Sequence, residues 1–211
     1  MKKVVCFLII ICSVSILSLE AQEKEGLRVS AMGFYGVGLG IVDNKNAPNY
    51  NFRTTNFDVL VDFDFGKIIG FATGIGFSSL SGNGFNSTGN FYHERSLMKI
   101  PLLMSLTYPI SKDFDFYANG GLFYEQIRDD EFQYLNTTEK DIYEGSSIGA
   151  QFQVGFLINL PAKVDWEGSR VGVLFGAQLS GEYDNGSNGA LFNQQDLGDI
   201  YSFSVVYSYT F

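Results

Sequence analysis

The chain is poor in the residues that carry most protein chemistry. Its 211 residues include 1 His, 2 Cys, 1 Trp and 4 Pro, and only 18% are charged. The 14 Lys and Arg are outnumbered by 23 Asp and Glu, which gives a net charge of −9. Because nucleic-acid-binding proteins present a basic surface, no nucleic-acid partner is expected. The lack of His and Cys leaves little material for a metal centre or a nucleophile, so no cofactor is expected either.

Aromatic residues and glycine are abundant instead. The chain has 20 Phe, 12 Tyr and 24 Gly, and hydrophobic residues make up 45%. This composition excludes an intrinsically disordered chain and a coiled coil. The length predicts a single domain.

The first residues predict a targeting segment. Lys2 and Lys3 precede an apolar run over 4–17, and the small residue Ala21 follows shortly afterwards. A basic start, an apolar stretch of roughly 7–15 residues and a small residue are typical of a secretory signal peptide. A transmembrane helix would need about 20 apolar residues. We therefore expect a cleaved signal peptide at 1–21.

Removal of that segment changes the cysteine content of the mature chain. Cys6 and Cys12 both lie within it, so the remaining domain, 22–211, has no thiol. Disulfides, thiolate metal sites and cysteine nucleophiles are then excluded from the mature protein.

The rest of the chain alternates with a period of two. Between residues 57 and 65, every second side chain is apolar, while Asp58, Asp62 and Asp64 lie on the opposite face. This alternation indicates a strand with one apolar and one polar face. The pattern recurs in eight segments, near residues 27–42, 54–65, 68–78, 97–108, 114–126, 147–160, 170–183 and 199–211.

The segment lengths favour a membrane barrel over a soluble sandwich. Tilted strands of roughly 9–11 residues cross a bilayer, whereas soluble strands average about 5–6 residues. The polar face holds mainly Gly, Ser, Gln, Asn and Asp rather than the Lys and Glu of a solvated sheet. We therefore predict an all-β fold, an eight-stranded antiparallel up-and-down transmembrane β-barrel.

The predicted connections alternate between short and long. Short turns are expected at 66–67, 109–113 and 161–169, and long loops at 43–53, 79–96, 127–146 and 184–198. The second and fourth long loops are rich in Gly, Asn and Ser, which is typical of flexible surface segments. Outer-membrane barrels have short periplasmic turns and longer surface loops. The protein is thus predicted in the outer membrane of a diderm bacterium, with both termini in the periplasm.

Glycines and charges dominate the predicted lumen. The inward glycines, which make room for larger side chains in so narrow a barrel, are Gly36, Gly38, Gly40, Gly70, Gly74, Gly76, Gly121, Gly149, Gly155, Gly172 and Gly176. The inward charges are Arg28, Asp58, Asp62, Asp64, Lys99, Asp115, Glu125, Arg170 and Glu182. Because buried charges need partners, ion pairs that fill the lumen are expected, and a narrow gated pore is the alternative. Pro101, which cannot donate to a ladder, predicts a bulge or a locally broken pair.

One stretch carries a family resemblance. Lys99-Ile100-Pro101-Leu102-Leu103-Met104-Ser105-Leu106, followed by Gly120-Gly121-Leu122, resembles the PorT-like outer-membrane β-barrel family. The chain is also similar to the eight-stranded OmpA and OmpX barrels. The resemblance implies a location and a fold, and it suggests an accessory role in secretion or envelope assembly. The ending Tyr207-Ser208-Tyr209-Thr210-Phe211 resembles the aromatic last strand that the barrel-assembly machinery reads.

Two features of the predicted loops remain as candidate chemistry. His93, Ser96 and Glu94 supply a base, a nucleophile and an acid, the residue types of a lipid-A-modifying enzyme, although an exposed loop histidine is the simpler interpretation. The loop at 127–146 is acidic and could bind Ca²⁺ that bridges to lipopolysaccharide, or be a solvated, mobile segment. No catalytic, cofactor or metal residue is assigned. We expect a non-enzymatic protein with a structural, surface-binding or accessory role, in contact with outer-membrane lipid and lipopolysaccharide; a protein partner is a further possibility.

Overall fold

The computed structural model describes residues 27–44, 48–66, 68–141, 143–161, 168–185 and 195–211. The predicted signal peptide, 1–21, lies outside the described residues. The strands are β1 (Arg28–Asn44), β2 (Tyr50–Asp64), β3 (Ile69–Asn86), β4 (Gly89–Pro109), β5 (Phe114–Gln133), β6 (Thr138–Lys140), β7 (Tyr143–Glu144), β8 (Ser146–Asn159), β9 (Ser169–Leu179), β10 (Glu182–Asn185) and β11 (Gln195–Thr210). In this part of the chain, no helix is long and apolar enough to cross a membrane.

Eight of the strands close into a ring. Each long strand pairs antiparallel with its neighbour in the order β1, β2, β3, β4, β5, β8, β9 and β11, and β11 pairs back with β1. The closing ladder runs from Ser30 opposite Thr210 to Asn44 opposite Gln195. The predicted eight-stranded antiparallel barrel is confirmed. The start of β1 and the end of β11 lie at the same end of the barrel as the turns at 65–68 and 110–113, which we call the short-turn end.

The predicted apolar face points outward on all eight strands within the membrane belt, but Tyr183, at the end of the segment predicted at 170–183, is buried inside the barrel. A belt of exposed apolar side chains surrounds the wall; its members include Tyr35, Val37, Phe57, Val59, Phe77, Ile100, Leu102, Leu122, Phe152, Phe156, Val173, Phe175, Phe203 and Val205. Apolar side chains exposed on every strand would be costly in water. In a bilayer they contact lipid, and the closed ring leaves no backbone edge unpaired.

The inward glycines lie where another side chain would collide with the wall. A Cβ added at Gly74 or Gly155 would overlap the carbonyl oxygen of Val59 or Val173 on the next strand. By contrast, the outward Gly33 has no atom within 4 Å of such a Cβ. The prediction that small residues make room in the lumen is confirmed.

Pro101 interrupts one ladder without shifting it. The β3–β4 register is the same on both sides, with Thr73 opposite Leu102 and Gly76 opposite Lys99, but the two pairs between them are missing. The Thr73 hydroxyl donates to the Pro101 carbonyl at 2.9 Å. The predicted broken pair is therefore found, without a bulge.

The strands extend beyond the apolar belt at the end opposite the short turns. The prediction of a flexible loop at 79–96 is wrong. These residues continue the β3–β4 hairpin, whose strands are paired up to Asn86 and Gly89. The loop expected at 127–146 contains the end of β5 together with β6 and β7, and most of the one at 184–198 lies outside the described residues. We call residues 50–53, 79–86, 89–96, 128–141, 143–144 and 182–185 the extension.

Hydrophobic alternation reverses its phase in the extension. Leu80, Phe91 and Phe132 point into the barrel and are buried, whereas Ser81 and Glu94 point outward. The reason is the change of solvent. Within the belt the outer face contacts lipid, but in the extension it contacts water, so the apolar side chains move to the inside.

A one-residue bulge in β5 determines which side chains of that strand point inward in the extension. Ser96 pairs with Asp129 and Leu97 pairs with Ile127, so Arg128 has no partner on β4. One extra residue turns all the following side chains to the other face. As a result, Asp130 and Phe132 point inward.

Candidate functional site

The extension encloses an apolar core of its own. Its buried residues are Val42, Tyr50, Phe52, Leu80, Phe91, Leu97, Phe132, Tyr143, Tyr183, Leu197 and Ile200. Phe91 and Phe132 stack with ring centroids 4.5 Å apart, and Tyr50 meets both Phe52 and Phe91 edge-on. Aromatic pairs of this kind add roughly 0.5–1.5 kcal/mol each to the burial of their surface. The extension is therefore packed like the core of a soluble protein.

A buried polar network crosses this core. The Tyr50 hydroxyl lies 2.6 Å from Nδ1 of His93, and Nε2 of His93 lies 2.7 Å from Oδ1 of Asp130. The same carboxylate oxygen accepts a hydrogen bond from Nε of Arg95 at 2.7 Å. The side chains of His93, Arg95 and Asp130 have no solvent-exposed surface. We call these four residues the network.

The geometry of the network favours a neutral His93. If Tyr50 donates to Nδ1 and Nε2–H donates to Asp130, the Tyr50 hydroxyl and both ring nitrogens of His93 are satisfied with one proton on the ring. Burial lowers the pKa of His93 to about 4, although the Asp130 carboxylate acts in the opposite direction. Burial raises the pKa of Asp130, but Arg95 and His93 outweigh it and hold that pKa below its ordinary value. The ion pair is thus Arg95 with Asp130, and His93 is a neutral link.

The network joins the strands of the extension. The other carboxylate oxygen of Asp130 accepts a hydrogen bond from the backbone N–H of Tyr143 at 3.0 Å. The Arg95 guanidinium lies 5.1 Å from the ring centroid of Tyr143 and 5.3 Å from that of Tyr183. Because the contacting residues come from β2, β4, β5, β7 and β10, the network holds the extension together across the barrel.

His93, Ser96 and Glu94 do not form a catalytic set. His93 is not the exposed loop residue that the sequence suggested: it lies on β4, points inward and is completely buried. Glu94 and Ser96 point outward on the same strand. A base cannot activate a nucleophile on the opposite face of its strand, since the two must lie within hydrogen-bond reach. These three residues therefore supply no triad.

The predicted lumen charges are mostly paired. Nζ of Lys99 lies 3.3 Å from Oδ2 of Asp58, and both side chains are buried. At the short-turn end, Arg170 lies 3.8 Å from Asp115 and the half-exposed Arg28 lies 3.7 Å from Asp64. These pairs confirm the prediction that inward charges find partners in the lumen.

The other three predicted charges differ in their surroundings. Oδ1 of Asp62 accepts a hydrogen bond from Ser105 at 2.6 Å. Glu125 accepts hydrogen bonds from the hydroxyls of Tyr183 and Ser147 rather than from a cation. The side chain of Glu182 lies outside the described part of the structure.

Side chains of the described residues fill the lumen within the membrane belt. A second apolar cluster fills its middle; its members are Met32, Phe34, Leu60, Ala72, Leu103, Tyr117, Leu157, Leu174 and Val206. Beside Lys99 and Asp58 there is a polar cavity of about 10 Å³, which is room for about one water molecule. Two packed layers, this cluster and the core of the extension, thus separate the two ends of the barrel.

Apolar side chains are exposed at the outer tips of the extension. The Asn86 side chain donates to the Tyr134 hydroxyl at 2.9 Å, which ties the tip of the β3–β4 hairpin to the β5–β6 turn. Next to these two residues, Phe85 is 54% exposed and Leu135 is 96% exposed. Tyr92 is exposed on the same outer face as Phe85.

Part of the acidic segment at 127–146 is strand rather than loop, since it contains the end of β5 together with β6 and β7. Asp130 is buried in the network, and Glu131 forms an exposed ion pair of 3.2 Å with Lys140. Among the described residues, no group of three or more His, Cys, Asp or Glu is arranged to hold a metal ion.

Comparisons with known proteins place the fold. No family model matches the chain, and no curated protein matches its sequence. The solved structure of Neisserial surface protein A is similar, with a TM-score of 0.53 and 9% identity, over 90% of this chain and 100% of that one. The outer membrane protein OprG from Pseudomonas aeruginosa matches with a TM-score of 0.54 and 14% identity, over 90% and 97% of the two chains. The chain has the fold of small outer-membrane β-barrels. Its resemblance to the PorT-like family stays a prediction.

Proposed function

We propose that this protein is an integral outer-membrane barrel that presents its extension at the cell surface as a binding platform, without catalysis. The apolar belt and the fold shared with small outer-membrane barrels support the location. The short turns and both chain ends would then face the periplasm, as outer-membrane barrels generally arrange them.

The packed core of the extension is the observation that supports this role best. A pore would need a continuous polar path, whereas the aromatic core and the middle cluster fill the lumen at two levels. A catalyst would need a reactive group that substrate can reach, whereas His93 is buried. What the extension offers instead is a rigid outer surface, and binding residues are commonly displayed in this way on a rigid scaffold.

The tips provide the apolar part of that surface. Phe85 and Tyr92 lie on the β3–β4 hairpin and Leu135 lies in the β5–β6 turn. The Asn86–Tyr134 hydrogen bond joins the two, so these side chains are held in place before a partner arrives. Binding to a preorganised surface costs less conformational entropy. A protein partner would make the barrel an accessory of a larger machine in secretion or envelope assembly.

Two further partners belong to the same proposal. Outer-membrane lipid and lipopolysaccharide would surround the belt. The barrel-assembly machinery would read β11, whose outward side chains include Tyr207, Tyr209 and the final Phe211.

A pull-down from native outer membranes tests the role. The tagged protein is solubilised in mild detergent, washed with salt and analysed by quantitative mass spectrometry, beside the variant Leu135→Ser and the control Leu27→Ser. Leu135 lies at a tip, whereas Leu27 is exposed next to the start of β1 at the short-turn end. We expect a protein recovered near one-to-one with the wild type and the control, and lost with Leu135→Ser. Recovery of the barrel alone, or equal recovery with all three chains, would contradict the proposal.

Electrical recording tests the closed lumen. The purified wild-type protein in a planar lipid bilayer should show no conductance steps. Regular steps would instead support the gated pore, and a lipid A mass spectrum that changes with His93→Ala would support the enzyme.

A further inference from the structure

A depression interrupts the apolar belt near the short-turn end. It lies on the outer wall across β5, β8, β9 and β11, is open to the surroundings of the barrel, and has a volume of about 610 Å³. Val171, Val173 and Val205 line it together with Phe156 and, from the short turn, Ile110 and Ser111.

The depression arises from a local change in side-chain size. Val171, Val173 and Val205 form its floor, since Val173 lies directly between Phe156 and Val205 in the sheet. On one side the aromatic rings of Phe156 and Phe116 stand edge to face with centroids 6.0 Å apart. Short side chains beside a row of tall ones leave a groove in the wall.

The row above the floor is also aromatic. Val154, Phe175 and Phe203 are paired along it, and both phenylalanines are about half exposed. The groove is therefore enclosed by tall side chains toward the middle of the membrane. It is open toward the short-turn end.

A rigid polar turn lies at that open end. Ile110 and Ser111 of the turn line the groove, and the exposed residues Lys112 and Asp113 follow them. Asn159 at the end of β8 donates to the carbonyls of both Asp113 and Lys112, at 2.9 and 3.2 Å. These bonds hold one positive and one negative side chain beside the groove entrance.

We infer that this groove binds one acyl chain of a glycerophospholipid with an amine headgroup, such as phosphatidylethanolamine. The acyl chain lies over the valine floor, the phosphate faces Lys112 and the ammonium group faces Asp113. A carbon chain suits the apolar lining, and a zwitterionic headgroup matches the adjacent opposite charges. The inference rests on the proposed membrane location, which places the short-turn end in the phospholipid leaflet.

Native mass spectrometry tests this site. The purified barrel is stripped of lipid in detergent, given phosphatidylethanolamine, phosphatidylglycerol or lipopolysaccharide, and exchanged again into detergent. We expect one phosphatidylethanolamine to remain bound to the wild type. Val173→Phe, which fills the floor, should lose the lipid, and Asp113→Asn, which removes the carboxylate that faces the ammonium group, should lose the preference for the amine headgroup.

A variant on the far wall provides the matched control. Val59 on β2 also points outward, is about as exposed as Val173 and does not line the groove. Val59→Phe should therefore keep the lipid, and Val205→Phe provides a second floor variant should Val173→Phe fold poorly. Equal loss with Val59→Phe would show annular lipid only, and stronger retention of phosphatidylglycerol or lipopolysaccharide would overturn the headgroup assignment.

The two proposals can fail separately. Loss of the lipid site would leave the recovery of a partner at the extension unchanged. A barrel absent from the outer-membrane fraction of cells would instead overturn the location on which both depend.

Discussion

Asp130 is the residue on which the extension most depends. Its carboxylate accepts hydrogen bonds from His93 and Arg95 on β4 and from the backbone of Tyr143 on β7. An ion pair completely out of water adds little net stability by itself, because desolvation offsets the attraction. The ion pair does favour this one arrangement of the strands, because a buried charge without its partner would destabilise any other.

We expect Asp130→Asn to destabilise the folded extension strongly. The substitution leaves the Arg95 guanidinium buried without a counter-charge and turns an amide N–H toward groups that are themselves donors. The cost should be about 3–5 kcal/mol in the free energy of unfolding, measured by urea titration of the barrel in lipid vesicles.

The neighbouring residue supplies the control for this measurement. Asp129 points outward and is exposed, so Asp129→Asn should change the unfolding midpoint little. Equal midpoints for the two variants would show that Asp130 is not the anchor of the network.

At the scale of the strand, the phase of the apolar–polar alternation shows which part of the strand lies in the membrane. In β4, the inward residues are odd-numbered throughout, from Phe91 to Thr107, but they are apolar and aromatic in the extension and mixed with polar residues in the belt. In β5 the bulge at Arg128 changes the parity itself. A sequence search for apolar residues on a single outward face therefore places the end of each predicted strand at the membrane boundary.

Two single-residue deletions distinguish the bulge from the ordinary strand. Deleting Arg128 should be tolerated, because Ile127 and Asp129 would then follow the β4 partners Leu97 and Ser96 without a gap. Deleting Glu131 should unfold the extension, because Phe132 would turn outward and leave its stacking partner Phe91. Limited proteolysis of the purified barrels measures both outcomes, and similar fragment patterns would contradict the role of the bulge.

At the scale of the whole molecule, the barrel has two different environments around one closed wall. Within the belt it is apolar outside and partly polar inside, and in the extension the order is reversed. The position of the reversal marks where lipid ends and water begins. The proposed orientation places that water outside the cell.

Cysteine labelling of intact cells tests the orientation. The only cysteines, Cys6 and Cys12, lie within the predicted signal peptide, so single-cysteine variants of the mature chain have no background. Leu135→Cys at a tip should react with a membrane-impermeant maleimide, and Ser111→Cys in a short turn should react only after the cells are lysed. The opposite pattern would place the extension in the periplasm.

The sequence alone determined the eight outward faces and the ring they form. Lipid contacts every second side chain of a membrane strand, so this constraint is local and is visible in residues such as Phe57, Val59 and Val61. It also indicated the lumen pairs, because an isolated buried charge such as Lys99 must find a partner. The extension was missed because its apolar residues face inward, and the pattern resembles that of a polar loop. Only the tertiary structure brings Tyr50, His93, Arg95 and Asp130 together, since their contact depends on the register of β2, β4 and β5 and on one bulge, which no local pattern specifies.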